Sequence, residues 1–144
     1  MLKSLSYIEV LYAILLSMNI DEIRKKHNLQ LIILHGSQVT GKTHAKSDFD
    51  IAVVRSDKVT KIDFFELTGD LENYFKGKID LSDITFADPL FLFAVMQKCK
   101  LLSGGVSDFK SLERLAFFKY SDYVPYLSME SDFVTERIMS YAQN

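Results

Sequence analysis

Apolar positions along this chain repeat with two different periods. Leu5, Ile8, Leu11, Tyr12 and Leu15 recur every three or four residues, which predicts a helix over 4–18. Ala13, Ile14 and Leu16 widen its apolar surface, so it is expected to be buried on more than one side. A short helix follows in IDEIRKKHN, with acids first and bases last as the helix dipole prefers, and Asn28 as a stop. Gln30 to His35 then changes character. Leu31, Ile32, Ile33 and Leu34 form an unbroken apolar run, the signature of a strand covered on both faces. Residues 36–47 read as a loop with room for one helical turn, and DFDIAVVR supplies a second strand over Phe49–Arg55.

The helical period returns over 61–76, with Ile62, Phe65, Leu67, Leu71 and Phe75 assigned to the inner side and Gly77 as C-cap. KIDLSDI, residues 78–84, is a third strand. Asp88-Pro89 reads as an N-cap followed by proline at the first helical position, opening a helix to about Lys98. Lys100 to Ser103 suits a short edge strand, ended by Gly104-Gly105. From Ser107, taken as a cap, Phe109, Leu112, Leu115 and Ala116 predict a long helix. Pro125 is expected to break it near Val124, leaving a second piece over 126–141. Most aromatics of this last third, Phe109, Phe117, Phe118, Tyr120, Tyr123, Tyr126 and Phe133, are assigned to the core, the rest to a partner surface. The order is that of one α/β (α+β) domain over 1–144, a small mixed sheet flanked by helices, with a helical C-terminal segment over about 107–144.

Composition narrows the choice of function. An apolar fraction of 48% and a net charge of −2 describe an ordinary globular protein without the basic surface of a nucleic-acid binder. The single cysteine, Cys99, reads as a small buried residue and fits a reducing cytoplasm. The early apolar run, Val10 to Leu16, is far short of the roughly 18–20 residues that cross a membrane. No His/Cys cluster has zinc spacing. His27 reads as a helix-dipole partner, and His35 first as a structural strand residue, with lining a nucleotide pocket as the alternative.

Residues 31–54 concentrate the chemistry and support two readings. Gly36 to Thr43 spells GxxxxGKT, the phosphate-binding P-loop, after a strand as required. A P-loop also needs a helix of several turns after GKT, and only His44 to Ser47, about one turn, separates it from the next strand. The second reading uses Asp48 and Asp50. At i and i+2 on a strand their side chains share a face, where two carboxylates repel unless a cation lies between them. Oxygen-only ligands of this kind suit Mg²⁺. Gly36-Ser37 offers a backbone that phosphate can approach closely and a hydroxyl donor. Asp80, alternating with Ile79 and Leu81, is the choice for a third carboxylate, with Asp83 as the fallback.

Gly36-Ser37, ten residues, then Asp48-Phe49-Asp50 resembles the GSx10DxD pattern of the DNA polymerase β-like nucleotidyltransferases. HGSQVTGKTHAKSDFDIAVV is similar in particular to the minimal nucleotidyltransferase (MNT) family, whose small members are antitoxins of HEPN–MNT toxin–antitoxin pairs. KIDLSDI and SLERLAFFKYSDYVPYL extend the resemblance over nearly the whole chain. His35, where the family usually has an aromatic, and Thr40, where it usually has arginine, depart from the pattern. The resemblance implies a nucleotidyltransferase fold and transfer of AMP from ATP to a tyrosine of a partner HEPN RNase toxin. It implies a two-metal Mg²⁺ site on Asp48, Asp50 and Asp80, with these as catalytic residues, and nucleotide contacts from Gly36, Ser37, Lys42 and Ser47. A homodimer and a hetero-oligomer with the toxin are both open to it. So are a non-catalytic antitoxin of the same fold and a small-molecule nucleotidyltransferase.

Overall fold

At the centre lies β1 (Leu29–His35), paired antiparallel to β2 (Phe49–Arg55) on one side and to β4 (Cys99–Gly104) on the other. β3 (Ile79–Asp83) adds to β2 in parallel, giving the order β3-β2-β1-β4. This computed structural model describes residues 6–16, 18–40 and 48–143. Around the sheet are α1 (Tyr7–Leu16), α2 (Ile20–Lys26), α3 (Ser37–Thr40), α4 (Phe64–Phe75), α5 (Pro89–Gln97) and α6 (Val106–Ala142). A parallel pair needs a crossover, and α4 supplies it between β2 and β3.

The unbroken apolar run in β1 has its cause in two layers. Ile32, with Ile51 and Val53, faces α2 and α4, where Ile23, Leu67 and Leu71 are buried. Leu31 and Ile33, with Ala52 and Val54, face α5 and α6, where Leu92, Val95, Phe109 and Ala116 are buried. Polar anchors fix the helices. Asn19 and Glu22 form a reciprocal capping box at the start of α2. Arg24 donates to Ser103 Oγ at 2.8 Å, and that hydroxyl donates in turn to Asp21, tying α2 to β4. His27 is more than a dipole partner: its Nε2 lies 2.7 Å from Asp70 of α4, which also holds Lys26 at 2.8 Å. Burial pushes the Asp70 carboxyl up, but the Lys26 and His27 contacts outweigh it and hold it low.

Several expectations need correction. Over its described side chains α1 is not buried on several sides: Tyr7, Ile8 and Tyr12 are 80%, 74% and 66% exposed, while Leu5 and the side chains of Ile14, Leu15 and Leu16 lie outside the described residues. Phe65 is 92% exposed; two residues before Leu67, it lies on the opposite side of the helix from the buried Leu67 and Leu71. The C-cap of α4 is Lys76, in the left-handed region at φ 58°, and Gly77 instead leaves room for the Phe49 ring. α6 starts from Gly105, so Ser107 lies inside it. Pro125 does not break α6, which runs on for 37 residues. The residue is exposed, so water can take up the carbonyl whose amide partner proline removes. Nor do most of the late aromatics enter the core. Phe109 is buried and Tyr120 stacks on Phe93 of α5, but Phe117, Phe118, Tyr126 and Phe133 are 58–66% exposed.

Asp88 caps α5 as its sequence suggests, accepting from the amides of Leu90 and Phe91 before Pro89 at the first turn. Cys99 is half-buried, and burial raises its thiol pKa. Among the described residues no helix is long and apolar enough to cross a membrane.

Candidate active site

Three adjacent strands place one polar residue each in a single row. Asp50 of β2 is the register partner of His35 on β1 and of Asp80 on β3. Asp50 lies in the pleat with Ala52 and Val54, so the row opens on the α5 side of the sheet. Asp80 is exposed and Asp50 half-buried. Asp48 lies one residue ahead of β2 and is exposed. Among the described residues none of these three carboxylates has an ion pair or hydrogen bond, and no three His, Cys, Asp or Glu side chains converge on a metal position. The pair gathered by the sheet is Asp50 and Asp80.

Gly36 closes the row from above. Its φ of +76° lies in the left-handed region, and a Cβ there would overlap the Asp50 carboxylate. Backbone therefore touches the Asp50 carboxylate with no side chain between them. Ser37 begins α3 directly afterwards. Lys42 and Ser47, with Gly41, His44 and Lys46, lie outside the described residues, as does the GKT string. The strand that returns from this loop runs antiparallel beside β1, unlike the parallel neighbour a P-loop strand has.

His35 is the residue whose place sequence reasoning undervalued. Its Nε2 is buried and has no hydrogen-bond partner among the described residues. Burial lowers its pKa, against the opposing charges of Asp50 and Asp80. A neutral imidazole there adds no positive charge to the carboxylate pair. His35, Gly36 and Ser37 also line a groove of about 430 Å³ whose far wall is Ala94, Gln97 and Lys98 of α5 and the turn after it. Gln97 and Lys98 carried no motif; only the length of α5 brings them here. Another groove, of about 470 Å³, lies at the opposite end of the sheet among Arg55, Lys58, Phe86 and Lys119, away from all three aspartates. Asp83, the fallback third carboxylate, is also at that end. Its Oδ2 is 3.0 Å from Arg55 Nε, an ion pair without hydrogen-bond alignment, and its Oδ1 accepts from Thr85 N and Oγ1 at 2.9 and 2.6 Å.

The donor set fits Mg²⁺. It is all oxygen, it is uncompensated by described cations, and Mg²⁺ is commonly held by one or two carboxylates completed by substrate phosphates.

Comparison with known proteins agrees with this fold. Over 80 residues the chain is 36% identical to protein adenylyltransferase MntA of Shewanella oneidensis strain MR-1, a match covering 56% of this chain and 58% of that protein. The chain thus matches less than two thirds of that relative. A toxin–antitoxin crystal structure with AMP-PNP superposes with a TM-score of 0.63 at 28% identity, covering 82% of this chain and 94% of that one. A complex of tri-AMPylated Shewanella oneidensis HEPN toxin with MNT antitoxin superposes with a TM-score of 0.58 at 25% identity, covering 82% and 91%. The sheet and its row of polar residues fall within residues 18–104, which match the polymerase beta nucleotidyltransferase family, and by that match this chain belongs to it.

Proposed function

We propose that this protein is a Mg²⁺-dependent adenylyltransferase antitoxin, moving AMP from ATP to a tyrosine hydroxyl of a partner HEPN RNase toxin. The observation that carries the reading is the Asp50–Asp80 pair, in register on adjacent parallel strands, unpartnered among described residues and pressed by the Gly36 backbone. The identity to a protein adenylyltransferase and the likeness to antitoxins complexed with AMP-PNP or an AMPylated toxin support it.

Mg²⁺ held by Asp48 and Asp50, with Asp80 sharing a second ion, would neutralise the triphosphate and polarise its α-phosphorus. The chain's own residues do the rest. Gly36 lets the triphosphate approach the backbone, and Ser37 contributes a hydroxyl at the mouth of the groove. Lys98 brings a cation to the same groove, a counter-charge for the departing pyrophosphate. Asp80, the more exposed carboxylate, accepts the proton of the tyrosine hydroxyl as its oxygen bonds to the α-phosphorus and the bond to pyrophosphate breaks. Lys42 and Ser47, nucleotide contacts by the family resemblance, complete the set. Attached AMP blocks the toxin's RNase site by bulk and charge. A reaction of this kind, fed by ATP and directed at an RNase, belongs in the cytoplasm.

Incubating the protein with ATP, Mg²⁺ and the toxin should add the mass of AMP to toxin tyrosine. Equal modification by an Asp48→Ala/Asp50→Ala variant would sink this mechanism. Neutralisation of the toxin by that variant without modification would leave the fold acting as a binding module.

A further inference from the structure

The second half of α6 leaves the domain while keeping an apolar seam. Its first half packs through Phe109 and Ala116, and Tyr120 stacks on Phe93 at 3.8 Å between ring centroids. Beyond that stack the same helical face continues at alternating four- and three-residue steps: Val124, Leu127, Ser131, Val134, Ile138 and Tyr141. This is a heptad seam with one small polar interruption. Val124, Val134, Ile138 and Tyr141 are 40%, 47%, 63% and 71% exposed. Most helical stability in proteins comes from packing an apolar face; of these seam residues only Leu127 is half-buried and the rest are exposed.

We infer that the seam pairs antiparallel with the same seam of a second copy of this chain. Charge complementarity selects that occupant. Glu130 and Arg137 flank the seam on one side, and neither has an opposite charge three or four residues away on its own helix. Antiparallel pairing that sets Val124 against Tyr141, Leu127 against Ile138 and Ser131 against Val134 brings Glu130 of each copy beside Arg137 of the other. Two-fold symmetry makes that pairing twice. A parallel pair would set Glu130 against Thr135 and Arg137 against Ala142, with no charge match. In this register Tyr141 of one copy meets Val124 of the other, clear of Tyr120, whose face its own domain already occupies. At about 1.5 Å rise per residue the two Tyr120 positions lie roughly 37 Å apart, so each domain keeps its site at its own end of the pair.

Sedimentation of the purified full chain, without toxin, tests this. A dimer is expected. Glu130→Arg or Arg137→Glu should each weaken it by about tenfold, since each places like charges at both symmetric contacts, and the double variant should restore it. In a Cys99→Ser background, chains with Leu127→Cys should cross-link to chains with Ile138→Cys, and neither to itself. Phe133→Glu, on another face of α6, should leave the dimer intact. A monomer at high micromolar concentration, including one that assembles only when toxin is added, would overturn the inference. So would self-cross-linking of Leu127→Cys, or no rescue by the charge-swapped double variant. Circular dichroism of each variant separates these results from misfolding, because the seam lies outside the sheet domain's core.

Discussion

The two ends of the β2–β3 pair differ in whether their carboxylates are matched by charge and by hydrogen-bond donors. At the far end, Asp83 is engaged by Arg55 and by both donors of Thr85, and Arg55 also donates from Nη1 to the Thr60 carbonyl at 3.0 Å. At the near end, Asp50 and Asp80 have no partner among the described residues, and His35 Nε2 is buried without one. The two histidines repeat the contrast, since His27 is matched by Asp70. In folded proteins the large majority of buried polar groups have a hydrogen-bond partner. Two carboxylates set side by side without a counter-charge are destabilising for the fold, and they make sense as half of a site completed by a cation and its phosphates.

The sharpest way to break this contrast is to neutralise the near end. Asp50→Asn should cut AMP transfer by on the order of 10³-fold or more, the scale of losing transition-state charge stabilisation. It should leave the thermal midpoint unchanged or higher, because it removes repulsion. A midpoint that fell sharply would mean Asp50 is structural. Asp80→Asn should cost about 10²–10⁴-fold in the rate with ATP binding retained, as for loss of a general base. Equal loss of rate and of Mg-ATP affinity would assign it to binding instead. Gly36→Ala should lose activity and about 1–3 kcal/mol of stability, through the left-handed φ and the overlap with Asp50; a denaturant titration reads the second term.

The opposite pattern is expected at the far end. Asp83→Ala should cost about 1–3 kcal/mol, leaving the guanidinium of Arg55 and the Thr85 donors unmatched, while folded protein keeps its transfer rate. A rate loss matching that of Asp80→Asn would erase the distinction between the two ends. The smallest effect concerns pH. His35 has a folded-state pKa below its unfolded value, so the unfolded chain takes up a proton first as pH falls. Stability from this group is full above about pH 6.5, the unfolded value, and declines as pH drops toward the lower folded value. His35→Phe should flatten that limb of the pH–stability curve, measured by urea melts across the range. An unchanged slope would place the proton uptake elsewhere.

Much of the frame was legible because it is encoded locally. The apolar run of β1 and the Asp88-Pro89 start of α5 each follow from backbone geometry over a few residues. Local rules failed where solvent decides. Proline in a helix interior should end it, yet exposed Pro125 lies within a continuous α6. Apolar spacing in α1 and the aromatics of α6 predicted burial, but periodicity shows only which residues share a face, not whether anything covers it.

The sequence by itself determined the strands, most helix starts and the residue types that can carry metal and phosphate, because periodicity, caps and alternation act through neighbours in the chain. Only the tertiary structure decided that Asp80 rather than Asp83 lies beside Asp50, that His35 shares their row, and that Lys98 lines the groove. Strand order and register set those distances, and they arise from burying both faces of one sheet at once, a condition that no short stretch of residues contains.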